Sequence, residues 1–162
     1  MLQRWQKHPH LSPLLLWTIL WFCFFCTLLL GIEYLAQSDL LTQFHAFGRF
    51  QAQEMLAGRL PLWSPGSYGG IPFAADTQAA VFYLPRWITI LLSAPFSFPY
   101  YALEVEGLVH IWLLGVFTYF LAFDITRNRW SGLIAAVVLG RGGVSVPDHR
   151  FGAGRAHRVP AR

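Results

Sequence analysis

The sequence predicts an all-α integral membrane protein with two to three transmembrane helices and an external loop of interfacial helices. Hydrophobic residues make up 55% of the 162 residues, and only 12% are charged. The charged share is about half that of an ordinary soluble domain. Long apolar segments without charge account for this composition, which excludes a soluble globular protein and a disordered chain.

The net charge of +4 belongs to the end of the chain. Residues 1–140 carry seven basic and seven acidic side chains, whereas residues 141–162 carry five arginines and one aspartate. The body of the protein is therefore neutral, and the sequence predicts no nucleic-acid partner.

The first apolar segment predicts a transmembrane helix over residues 13–32. It contains no charge, and about 20 apolar residues cross a bilayer. Ser12 is expected to cap the helix, with Pro13 in the first helical position. A cleaved signal peptide is the rival interpretation, because basic residues precede the segment. The absence of a small-residue cleavage pattern after it favours an uncleaved anchor.

The basic residues predict the orientation, because cytoplasmic loops are rich in Lys and Arg. Arg4 and Lys7 place the N-terminus, residues 1–12, in the cytoplasm. Arg127 and Arg129 should also be cytoplasmic. Only one of the two apolar segments between residues 33 and 124 can then cross the membrane.

The segment 79–98 is the weaker candidate, since it contains Pro85 and Arg86. An arginine at the bilayer centre costs about 2.5–3.5 kcal/mol. We therefore predict an interfacial or re-entrant helix here, a second span over residues 102–123, and an external loop over residues 33–101.

The external loop begins with an amphipathic helix. Apolar residues at positions 40, 41, 44, 47, 55 and 56 follow a helical period. Ser38 or Asp39 can cap its start, and Gly58 with Pro61 ends it. Residues 58–72 then alternate Gly, Pro and aromatic residues, which predicts tight turns with rings at the headgroup level.

Four motifs in this loop carry a family resemblance. They are D-x-x-x-Q-F from residue 39, GRLPLWSP from 58, GGIP from 69 and ADTQAAVFYLP from 75. Together they resemble the first external loop of YfhO-like bacterial membrane proteins, a family of the C-type glycosyltransferase superfamily. The resemblance implies a multi-pass protein of the bacterial inner membrane that transfers a sugar from a polyprenyl-phosphate donor to an extracytoplasmic acceptor.

The same resemblance implies that an acidic residue just after the first helix is catalytic, which assigns Asp39. A carboxylate there can accept the proton of the acceptor or bind a divalent cation. A helix cap is the alternative role of Asp39. Asp76 is the second catalytic candidate, because it could share a metal or orient the acceptor, although an aspartate in a turn is equally compatible with the sequence.

Four further residues are predicted to bind substrate. Gln43 and Gln78 stand in the motifs next to the two aspartates, and Arg59 and Arg86 could contact a lipid phosphate. Snorkelling to headgroups would explain Arg86 without any function. Cys23 and Cys26 form a C-x-x-C inside an apolar helix and are interpreted as small apolar residues rather than a metal or redox site.

The end of the chain departs from the resemblance. Residues 124–140 form a cytoplasmic turn and the start of an incomplete third helix, and residues 141–162 form a basic tail without apolar periodicity. We interpret the tail as an out-of-frame reading and the chain as an inactive N-terminal fragment. A basic tail on anionic lipid is the alternative. For function, the alternative is a non-catalytic small membrane protein whose external loop binds lipid or a partner.

Overall fold

The computed structural model describes residues 10–35, 39–66, 69–142 and 150–152. Several predicted features lie outside these residues: the basic pair Arg4 and Lys7, the Ser38 cap, and most of the tail 141–162. The described residues are largely helical, as the sequence predicts.

Five α-helices make up most of the described chain: α1 Leu11–Leu29, α2 His45–Leu56, α3 Leu84–Ser93, α4 Tyr100–Thr126 and α5 Arg129–Gly142. A π-helical segment, Leu40–Phe44, leads directly into α2, and 3-10 turns occupy Phe73–Ala75 and Ala94–Phe96. Two short strands, β1 Glu33–Leu35 and β2 Arg150–Gly152, pair in a small sheet that the sequence did not predict.

Two of the described helices, α1 and α4, are long and apolar enough to cross a membrane. At 1.5 Å per residue they measure about 28 and 40 Å, against a hydrocarbon core of about 30 Å. Only 28% and 17% of the residues in their apolar windows are buried inside the protein. Most of their apolar surface therefore faces outward, which is unusual for the core helix of a soluble protein.

The first helix is shifted from its predicted range of 13–32 to Leu11–Leu29. No side chain caps its start, so the predicted Ser12 cap is wrong, and Ser12 and Pro13 lie inside the first turn. The helix already includes Leu11, so it begins one residue before the predicted cap.

The end of α1 is a Schellman motif around Gly31. Its φ is +68°, which glycine adopts at no steric cost. The Gly31 N–H donates to the Leu28 carbonyl at 3.0 Å, and the Ile32 N–H donates to the Thr27 carbonyl at 2.9 Å. These bonds satisfy carbonyls that the helix end leaves free, and they end the helix three residues before position 32.

The chain divides into two compact units. Unit 1 consists of Met1–Glu33 and Gly107–Asp148, and unit 2 of Tyr34–Glu106 and His149–Arg162. Unit 1 thus holds the predicted membrane segments α1, most of α4 and α5. Unit 2 holds the segment predicted to be an external loop and the first turns of α4.

Trp17 holds unit 1 together. Its side chain is fully buried in slots left by two glycines. A Cβ at Gly115 or Gly140 would lie 2.2 or 2.3 Å from ring atoms of Trp17. The Trp17 indole N–H donates to the Trp112 carbonyl at 3.1 Å, and the Trp112 indole N–H donates to the Thr18 hydroxyl at 3.1 Å. One ring therefore joins α1, α4 and α5.

Unit 2 has its own core between α2, α3 and the start of α4. Ala52, Ile90, Phe98 and Leu103 form this buried cluster. Gly48 of α2 lies under Phe98, because a Cβ there would come within 2.3 Å of the Phe98 ring. The predicted amphipathic helix is present as the π-helical segment and α2.

Helix α3 has an outward face without polar side chains. Leu84, Ile88, Leu91 and Leu92 are between 59% and 77% exposed, whereas Ile90 on the opposite side is 1% exposed. With 10 residues, the helix measures about 15 Å, half the thickness of the hydrocarbon core. A helix in water normally presents polar residues outward, so α3 has the opposite arrangement.

The Trp17 slot yields a stability prediction. Gly115→Ala should displace the Trp17 ring and destabilise unit 1 by about 1–3 kcal/mol, since overpacking forces side chains off their rotamers. Gly107→Ala in the same helix is the matched control, because nothing lies within 4 Å of its Cβ position. Thermal unfolding of the detergent-solubilised chain, followed by circular dichroism, measures both. Equal unfolding temperatures for the two variants would contradict the close packing of Trp17 against Gly115.

Candidate functional site

A groove of about 630 Å³ opens on unit 2. One wall comes from the π-helical segment and α2, and the other from the loop over residues 64–76. Polar groups and aromatic rings share the lining: Thr42, Gln43, Phe47, Phe50, Ser64, Phe73 and Asp76. Such a mixture is typical of small-molecule sites, in which a few polar groups orient a ligand against an apolar surface.

The Gly/Pro/aromatic loop folds as a tight hairpin. Ser64 and Ile71 exchange two backbone hydrogen bonds of 2.9 Å. Gly70 has a φ of +117°, and a Cβ there would lie 2.4 Å from the Trp63 ring. The closeness of Trp63 to this backbone explains the glycine, and the hairpin brings residues 71–76 to the groove.

Three of the six predicted site residues come together here. The Gln43 amide N–H donates to the Gln78 amide oxygen, across 35 residues of sequence. The Gln78 backbone N–H donates to the Asp76 carboxylate at 2.8 Å. Asp76 thus forms an Asx turn that holds Gln78 toward Gln43, and its half-buried carboxylate lines the groove.

Asp39 lies four residues before Gln43, at the start of the π-helical segment. Its side chain makes no capping hydrogen bond, so the capping role is wrong. The residue is exposed to solvent. It is not among the residues that line the groove.

Arg59 is held at the surface by Glu54. Its guanidinium donates two hydrogen bonds to that carboxylate, of 2.8 and 3.0 Å. These bonds lower the pKa of Glu54 and raise the pKa of Arg59. The structure therefore places Arg59 in a bidentate ion pair at the end of α2 rather than in the groove lining.

Arg86 is held more tightly, in the interior of unit 2. Its Nε donates to both oxygens of Glu106, at 3.0 and 2.9 Å. The two side chains are only 11% and 8% exposed, and the Arg86 guanidinium also lies 5.6 Å from the centre of the Phe98 ring. This arrangement, rather than snorkelling to headgroups, accounts for the charge inside the apolar segment.

Two further polar groups of unit 2 are buried: Gln51, which the sequence does not single out, and Glu104, which the sequence marks as a candidate cavity-lining residue at the start of the second span. Gln51 is fully buried, donates to the Val81 carbonyl at 3.1 Å, and leaves its Oε1 without a partner among the described residues. Glu104 is 3% exposed and accepts the backbone N–H of Leu35. Apolar spacing indicates which face of a helix is buried. For Gln51 on α2, only that spacing could have predicted a side chain that faces inward.

Within residues 10–35, 39–66 and 69–141, no three His, Cys, Asp or Glu side chains are grouped to hold a metal ion. Cys23 and Cys26 are free thiols of α1.

Comparison of the chain with protein-family models, with curated proteins and with solved structures gives no match. The resemblance to YfhO-like proteins therefore stays a prediction from the motifs.

The Arg86–Glu106 pair allows a structural test of Arg86. Arg86→Met should cost about 3–5 kcal/mol, because it removes the guanidinium that pairs with the buried Glu106 carboxylate. Arg86→Met/Glu106→Leu should recover most of that loss, since apolar residues of similar volume can replace a buried pair. Thermal unfolding of the three proteins measures this. A double variant no more stable than Arg86→Met would contradict the assignment.

Proposed function

We propose that the chain is the N-terminal part of a YfhO-like membrane glycosyltransferase. The reaction transfers a sugar from a polyprenyl-phosphate donor to an acceptor on the outer face of the bacterial inner membrane. The protein is multi-pass, with a cytoplasmic N-terminus. The observation that supports the proposal most is that Gln43 and Asp76, from two separate motifs, line one groove and are both hydrogen-bonded to Gln78.

Each residue then has a chemical role. An acceptor hydroxyl attacks the anomeric carbon, the bond from that carbon to the phosphate oxygen breaks, and Asp39 takes the hydroxyl proton. Asp76 and the two glutamine amides hydrogen-bond to sugar hydroxyls and orient the ring. The Phe47 and Phe50 side chains supply the apolar wall.

The two predicted phosphate ligands have unequal roles in this scheme. Arg59 lies at the surface and would bind the donor phosphate after releasing the Glu54 carboxylate. Arg86 would first have to leave Glu106, and because that pair is buried, the exchange is costly. We therefore assign Arg59 to substrate, and treat contact of Arg86 with substrate as the weaker part of the proposal.

Helix α3 lies in the membrane interface in this proposal. It is too short to cross, and its outward face is entirely Leu and Ile. Burial of apolar area is favourable by about 25 cal/mol per Å², and lipid provides that burial for an interfacial helix. The same face supports the alternative function, a non-catalytic loop that binds lipid.

Sugar transfer separates the two functions. The 162-residue chain alone should transfer no sugar. The product of the gene read in the frame that continues the third helix past codon 140 should transfer sugar from a polyprenyl-phosphate donor. In that product, Asp39→Asn should lower the rate by about 10²–10⁴-fold, because a general base is lost.

Asp124→Asn is the matched control. Asp124 is an exposed aspartate, 72% accessible, that pairs with Arg127 at the other end of α4. It should leave transfer unchanged. Sugar transfer by the 162-residue chain alone would contradict the proposal that it is an inactive fragment. Equal rates for Asp39→Asn and the parent would favour the non-catalytic alternative.

The interfacial placement is tested separately. After Cys23→Ala and Cys26→Ala, an environment-sensitive fluorophore on Leu92→Cys should be quenched by spin-labelled acyl chains in reconstituted vesicles. The same fluorophore on Thr77→Cys, an exposed residue of the loop beside the groove, should be quenched only by water-soluble quenchers. Quenching of the Leu92 position from water alone would contradict insertion.

A further inference from the structure

Arg49 is a cation that the predicted function leaves unused. It is exposed on α2, and among the described residues no ion pair holds it, whereas Arg59 and Arg86 are each held by a carboxylate. His45 precedes it by four residues, so both side chains lie on the same face of the helix.

Both residues line a small pocket of about 210 Å³. The remaining lining residues are Phe96, Ser97, Phe98 and Pro99, so the lining contains no carboxylate. His45 Nε2 lies 3.3 Å from the Phe98 carbonyl oxygen. Because a carbonyl only accepts, Nε2 carries the proton of that bond. Nδ1 is then the ring nitrogen that can interact with a ligand.

The pocket also adjoins the lipid-facing surface. Phe96 lines it and is 73% exposed, and it follows Leu92 of the α3 outward face by four residues. A cationic pocket at the border of an apolar face is where the phosphate of an inserted lipid would lie, since headgroup phosphates border the hydrocarbon core.

The backbone of the pocket is unusual. Ser97 and Phe98 are consecutive non-glycine residues with φ of +55° and +53°. The fully buried Phe98 ring over Gly48 holds this conformation. Such strain persists only where the surrounding structure enforces it, and it is concentrated at functional sites.

We propose that Arg49 and His45 form a binding pocket for a phosphate ester, carried by a membrane lipid or by a soluble phosphate. The guanidinium provides a bidentate donor for the phosphate oxygens, and His45 provides a second donor when Nδ1 is protonated. The pocket rests on the proposed interfacial placement of α3 and is independent of sugar transfer.

The test uses the full 162-residue chain in a polyoxyethylene detergent, with bound lipid measured by native mass spectrometry. Dioleoyl phosphatidic acid should bind at least about tenfold more tightly than dioleoylglycerol, which has the same acyl chains without the phosphate. Arg49→Gln should weaken binding of phosphatidic acid about tenfold, and His45→Gln should weaken it by a smaller factor.

Arg127→Gln is the matched control, because it removes another exposed arginine, from unit 1 and outside the pocket, and it should leave binding unchanged. Circular dichroism checks the helix content of each variant. Should Arg49→Gln lose helix content, Arg49→Lys keeps the charge without the planar guanidinium and should weaken binding about threefold.

Inorganic phosphate separates the two sources of the ligand. Displacement of phosphatidic acid by millimolar phosphate supports the pocket and assigns it to free phosphates, and failure to displace supports it as a headgroup site. Equal binding of dioleoylglycerol and phosphatidic acid would overturn the proposal. So would parent-like binding by folded Arg49 variants, or an equal loss in Arg127→Gln. Asp39→Asn should not alter binding, so failure of the transferase proposal is distinguishable.

Discussion

The ion pair between Arg86 and Glu106 is the constraint on which unit 2 depends. It connects α3 to the first turns of α4 and places the one charge of α3 inside the protein. Because the charge is satisfied internally, the outward face of α3 can be entirely apolar. The same guanidinium packs over Phe98, whose ring fixes the strained turn and covers Gly48. One buried charge therefore links the apolar face, the turn and the position of α2.

The groove depends on the Arg86–Glu106 pair indirectly, through the position of α2. The π-helical segment presents Gln43 along one wall, and α2, held by Phe98 and Ile90, presents the two phenylalanines there. The chain that follows the hairpin of Ser64 and Ile71 presents Asp76 along the other wall, and Gln78 is bonded to both Asp76 and Gln43. Neither motif could form a site by itself, because each contributes polar groups to only one side.

Apolar spacing and turn chemistry were sufficient to predict most elements of unit 2. The helical period over residues 40–56 and the Gly/Pro punctuation act locally, so they can be identified without a partner segment. The partner of Arg86 could not be predicted, because Glu106 is 20 residues away and its inward direction depends on how two helices pack. For the same reason Arg59 and Arg86 were predicted as ligands, whereas Arg49 was not, because its availability depends on the absence of an ion pair to it among the described residues.

The Trp17 slot has a consequence for biosynthesis. The ring belongs to α1, but its acceptor, the Trp112 carbonyl, lies 95 residues later in the chain, and its second glycine, Gly140, lies later still. The indole N–H therefore lacks this acceptor during synthesis until α4 has been made. The final packing of α1 is thus completed only by residues that are synthesised long after it.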